Sequence, residues 1–255
     1  MFDDLVTLQH FEAGWGWDAQ VRQYVKKKYR QDLAGLAAFD PALLAQLLKG
    51  EILPERPYAS VLWVIKIVPF RPLELYFLYD ADPEFGVDLR VLYARKSLVV
   101  PTEDAYVFAW DYVALLARYG RGVYPVEAAS PGPHWVPFAD FASPASAPVK
   151  DTAVRPREEI LKLLTPEVVA VAVARLDTGA AAATADGWRV DFPILGDLAF
   201  RLTLAAGEVK MAFDNHGARK YHPDFILSFV WLYLNALIRE CQGLDPSLPR
   251  LSAYL

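Results

Sequence analysis

The chain has 255 residues, a net charge of −5, 54% hydrophobic residues and a single cysteine. Such a composition excludes a disordered chain, and one cysteine excludes an intrachain disulfide or a thiolate metal cage. The negative balance gives no global field for polyanions, so no nucleic-acid partner is expected.

The N-terminal segment Asp18 to Leu36 mixes Val21, Tyr24, Val25 and Tyr29 with Lys26, Lys27, Lys28 and Arg30, which predicts a helix with one apolar stripe and a wet basic face. Asp40-Pro41 opens a second helix, with a capping side chain followed by proline at the first helical position. From Tyr58 to Val68 the run is apolar and β-branched, as in a strand covered on both faces. Leu73, Leu75, Phe77 and Tyr79 continue as a second strand that ends in the turn-rich stretch Asp80 to Gly86. Val87 to Tyr93 and Ser97 to Val100 extend the sheet, and Thr102 to Tyr119 reads as a long helix.

Seven of the 19 prolines lie between Pro125 and Pro156, where no hydrophobic period is sustained. The expected organisation is therefore a first α+β unit over residues 1–124, a Pro-rich connecting arm over 125–156 and a second α+β unit over 157–255. In the second unit, Pro156 to Leu164 is helical, and Thr165-Pro166-Glu167 opens another helix. Gly179 to Gly187 reads as a loop. Trp188 to Phe192, Leu198 to Leu204 and Glu208 to Phe213 read as strands, before an apolar helix from about Asp224 to Cys241.

The two halves resemble one another. Phe108, Trp110, Tyr112, Leu116 and Arg118 recur in order and spacing as Phe229, Trp231, Tyr233, Leu237 and Arg239, each set following a strand hairpin and a proline. The expected fold class is α+β, with two similar sheet-plus-helix units from an internal duplication.

The polar clusters suggest two chemistries. Arg95 and Lys96 are echoed by Arg219 and Lys220 near the start of each long helix, where a pair of cations can grip an anionic ligand. Asp214, His216, His222 and Asp224 offer imidazoles and carboxylates for a divalent metal, although their spacing matches no ligand signature. Asp80, Asp82, Glu84 and Asp88 concentrate charge in a presumed hairpin loop without the EF-hand pattern, and read as an exposed acidic turn. Gly14-Trp15-Gly16-Trp17-Asp18-Ala19 fits the dinucleotide-binding spacing but follows no predicted strand. The reading favoured is a non-catalytic binding or accessory protein, with a protein partner or self-association and no cofactor; the alternative is a metal-dependent hydrolase in the 214–224 loop. The apolar stretch Phe225 to Ile238 falls short of the roughly 20 residues a bilayer span needs, and the first eight residues carry Asp3 and Asp4 without an apolar run. No membrane partner is expected, and the expected location is cytoplasmic.

Overall fold

A computed structural model describes residues 2–82, 84–124, 135–140 and 155–250, the side chains of Ala139, Asn215 and His216 excepted. The chain divides into two compact units, Met1–Val126 and Glu127–Leu255. Most of the expected Pro-rich arm, at 125–134 and 141–154, lies outside the described residues.

The first unit contains strand β1 (Leu5–Val6) and helix α1 (Trp15–Gln23), which runs on through a π-helical turn at Tyr24–Lys28. Helices α2 (Arg30–Ala34) and α3 (Pro41–Leu48) follow. Strands β2 (Gly50–Ile52), β3 (Val61–Phe70), β4 (Leu73–Asp82) and β5 (Gly86–Ala94) then lead to the long helix α4 (Thr102–Gly120). The antiparallel sheet has the order β1-β5-β4-β3-β2.

The second unit contains strand β6 (Trp135–Pro137), helices α5 (Arg155–Leu161) and α6 (Pro166–Leu176), and strands β7 (Ala180–Thr184), β8 (Gly187–Leu195), β9 (Leu198–Ala205) and β10 (Glu208–Asp214). A short helix α7 (Asn215–Ala218) precedes the long helix α8 (Pro223–Leu244). Its antiparallel sheet has the order β6-β10-β9-β8-β7. The α+β class expected from the sequence is the class observed.

Local chemistry explains the helix starts. Proline occupies the first position of α3, α6 and α8, where no backbone donor is needed. The preceding side chains cap each helix: Asp40 accepts from the Ala42 amide at 2.9 Å, Thr165 from Val168 at 3.4 Å, and His222 from Asp224 at 3.3 Å. Helices α3 and α6 both end on a left-handed residue, Lys49 (φ 55°) and Asp177 (φ 51°), and both then enter an edge strand.

Three expectations are corrected. Ser97 to Val100 does not extend the sheet: Arg95–Val99 is a 3-10 turn that delivers Pro101 to the start of α4. The supposed loop Gly179 to Gly187 contains β7, whose alanines have little strand propensity and are held by pairing with β8. The supposed turn at Asp80 belongs to β4, with Asp80 standing opposite Asp88.

The core of the first unit lies between β3–β5 and α4. Phe77 meets Tyr112 at 5.7 Å, Phe70 meets Phe108 at 5.5 Å, and the Tyr93 hydroxyl donates to the Ala105 carbonyl at 3.1 Å. Helix α4 also approaches the segment after α2 so closely that a Cβ on Gly35 would lie 1.9 Å from the Gly120 carbonyl oxygen. On the opposite sheet face, Val61, Val64, Tyr76, Leu78 and Leu53 form a second cluster. In the second unit, Tyr233 of α8 packs on Phe192 at 5.5 Å and on Phe200 at 6.2 Å.

Candidate functional site

The principal cavity of the first unit runs along the outer edge of β5. Its volume is about 500 Å³, and its lining includes five consecutive strand residues, Asp88 to Leu92. Successive side chains of a strand point to opposite faces, so a cavity that touches every residue in turn must be centred on the strand's edge. That edge is open. On the side away from β4, β5 pairs only with β1, through Tyr93 and Ala94, and among the described residues Gly86 to Leu92 have no partner strand there.

Helix α1 and its π-helical continuation flank this slot with Asp18, Val21, Arg22 and Lys26; Phe2, Pro57, Tyr58 and Leu78 also line it. A second cavity of about 390 Å³ shares Lys26, Asp88 and Arg90 in its lining and adds Arg30, Asp80 and Asp82. Arg22, Lys26 and Arg30 are spaced by four residues. In a regular α-helix each such step drifts by roughly 40° around the axis. The wider π turn winds less per residue and so helps keep the three cations on one side.

The same turn divides the basic run Lys26-Lys27-Lys28. Lys28 Nζ lies 5.2 Å from the Tyr24 ring centroid, 5.1 Å from Tyr29 and 5.6 Å from Trp110, a cation–π arrangement away from the slot. Lys26 lines the slot and, among the described residues, makes no ion pair.

Most other charges in the slot are held. Arg22 pairs with the buried Asp18. Arg90 bonds to Asp88 at 3.3 Å and lies 5.3 Å from the Tyr58 ring centroid. Asp82 Oδ1 accepts from the Glu84 and Phe85 amides at 2.8 and 3.0 Å, and Arg30 donates to the Phe85 carbonyl at 3.3 Å. Asp80 is only 7% exposed; its carboxylate accepts from Ser60 at 3.1 Å through Oδ2 and is hydrogen-bonded with the Tyr58 hydroxyl. Burial, with the charges of Asp80 and Asp88, pushes the Tyr58 hydroxyl above the ordinary phenol range against the opposing pull of Arg90. Tyr58 is therefore a protonated donor at neutral pH.

The cations singled out from sequence lie elsewhere. Lys96 pairs with Glu74 at the start of β4, which Lys66 also approaches at 3.6 Å and to which Tyr76 donates at 3.0 Å. Burial raises the Glu74 pKa, but Lys96, Tyr76 and Lys66 outweigh it and leave the carboxyl below its ordinary value. Lys220 likewise pairs with Asp197 at 3.2 Å, and Tyr221 donates to that carboxylate at 2.8 Å. Each lysine thus pins the connection after the last strand to the beginning of the middle one, to its second residue in the first unit and to the turn before it in the second. Arg95 is exposed, and Arg219 lines a separate cavity of about 480 Å³ in the second unit with Val136, Asp140 and Tyr221.

Of the suggested metal ligands, His222 and Asp224 meet at 3.5 Å at the N-terminus of α8, where His222 also serves as the cap. Asp214 ends β10 opposite Trp135, and the side chain of His216 lies outside the described residues. Among the described residues, no group of three or more His, Cys, Asp or Glu gathers in a metal-binding arrangement. No helix among them is long and apolar enough to cross a membrane.

Sequence reasoning missed Arg22, Tyr58 and Arg90 as parts of one site. The four-residue spacing of Arg22, Lys26 and Arg30 was a usable signal for the helical side; nothing local tied that side to Asp80 and Asp88. No protein family, curated protein or solved structure matches the chain.

Proposed function

We propose that this chain is a non-catalytic binding protein, built on a duplicated α+β scaffold, that takes up its ligand in the slot beside β5. The observation that carries the reading is the unpaired strand edge inside a charged cavity. An open edge is a hazard unless it is covered or used, and here the neighbouring helix leaves a space rather than closing on it. Lys26, which makes no ion pair among the described residues, suits a ligand with anionic or accepting groups.

Four parallels support duplication. The strand order is shared, and a proline-started helix with a left-handed cap precedes an edge strand in both units. A Phe–Tyr contact joins the middle strand to the long helix, as Phe77–Tyr112 and as Phe200–Tyr233. Glu74 and Asp197 each accept from one tyrosine and pair with one lysine of the strand-to-helix connection, Lys96 or Lys220.

A fragment screen followed by backbone amide shifts tests the binding reading. Hits should perturb Asp88 to Leu92 together with Lys26; hits confined to other surfaces would remove it. For the duplication, an experimental structure should superpose Tyr112 on Tyr233 and Leu75 on Phe200 within one common alignment of the sheets.

A further inference from the structure

We infer that the occupant of the slot is an extended peptide, added to the sheet as a strand along β5, with acidic side chains directed at Lys26 and Arg30. The inference rests on the binding reading above and specifies its ligand. Its first support is geometric. Strand β1 already occupies the position beside β5, but only for Leu5 and Val6, opposite Ala94 and Tyr93; at Thr7 the chain leaves for a 3-10 turn. The unfilled remainder, Gly86 to Leu92, extends roughly 20 Å and can register about six residues of a peptide. A strand placed there continues an interface that the protein itself begins.

The second support is the distribution of charge. Alternate side chains of an added strand point to opposite sides. On the helical side they meet Lys26, which makes no ion pair among the described residues, and Arg30, which donates to the Phe85 carbonyl. On the other side they meet the region of Tyr58, Asp88 and Asp80. Acidic residues alternating with hydroxyl or amide residues therefore match the two walls, while backbone hydrogen bonds to β5 supply sequence-independent affinity.

The test uses the full chain and an acetylated, amidated hexapeptide of alternating Glu and Thr. Hydrogen exchange of β5 amides between Gly86 and Leu92 should slow when it binds, and Lys26→Ala should weaken binding by roughly five-fold, the scale of one exposed ion pair. Alternating Lys and Thr should bind more weakly. The Glu-Thr peptide N-methylated at every backbone amide should give no protection, because no ladder donor remains in either register. Equal binding of the N-methylated peptide would overturn strand addition and leave an anion site only. Dimerisation of the protein through β5 would overturn it in favour of a second copy. If fragments perturb the slot but the Glu-Thr peptide does not, the peptide inference fails while the binding reading stands; if neither does, both fail.

Discussion

The two sheets share a strand order and differ in what their second faces do. In the first unit, β4 is buried at eight successive positions, Leu73 to Asp80, because α4 covers one face and the Val61–Val64–Tyr76–Leu78 cluster covers the other. In the second, β8 and β9 alternate between buried and half-buried positions. There Arg201 grips Asp191 on the adjacent strand through two bonds of 2.6 and 2.7 Å and lies 4.1 Å from the Trp135 ring centroid. That cation ties the half-buried face to β6, which pairs with three residues of β10, Ala212 to Asp214. In the first unit the corresponding edge strand pairs through two residues, and a charged slot lies beyond it. Among the described residues both units thus keep an unpaired stretch beside the short edge strand, Glu208 to Met211 of β10 in one and the longer Gly86 to Leu92 of β5 in the other, and the charged slot lies beside the longer one.

The largest effects should come from the shared core. Phe77→Ala and Phe200→Ala each remove a fully buried ring beneath the long helix and should cost about 3–5 kcal/mol in urea unfolding. Markedly unequal costs would mean that the two rings do not carry their cores alike. Next come the pinning carboxylates. Glu74→Gln should destabilise by about 1–3 kcal/mol, since it removes the partner of two lysines while leaving Tyr76 and the turn in place. Asp197→Asn, at a less buried site, should cost less. The Glu74 pKa is depressed, so its contribution is fully present above its unfolded value near 4.5 and is lost as pH falls through the lower folded value. Acid titration of stability should therefore flatten in Glu74→Gln, and an unchanged profile would show that the pin carries no linkage.

Smaller again is Arg201→Met, which should cost about 0.5–1 kcal/mol because the pair is partly exposed. The smallest is Lys26→Ala, expected within about 0.5 kcal/mol of wild type because no ion pair is lost. A large loss of stability there would mean that Lys26 supports the fold and would weaken its assignment to a ligand.

Much of the fold was legible from local chemistry. Asp40-Pro41 and Thr165-Pro166 mark helix starts with a cap and a proline, and the alternation at Leu73, Leu75, Phe77 and Tyr79 marks the central strand. The edge strands were not legible: β2 has three residues, and β7 is almost entirely alanine, so both depend on a neighbour that supplies the pairing. The slot was divided between two sequence clusters. Lys26 and Arg30 alone resemble a solvated helix face, and Asp80, Asp82 and Asp88 alone resemble an acidic turn; only the tertiary fold brings them to one cavity. The π turn that separates Lys26 from Lys28 also leaves little mark on hydrophobic spacing.

Residue-resolved hydrogen exchange across β5 in the ligand-free protein addresses the open edge most directly. Amides between Gly86 and Leu92 that point away from β4 should exchange much faster than their alternate neighbours and faster than the amides of Ala212 to Asp214 that face β6. Uniformly slow exchange from Gly86 to Leu92 would mean that the edge is already satisfied and would contradict the account.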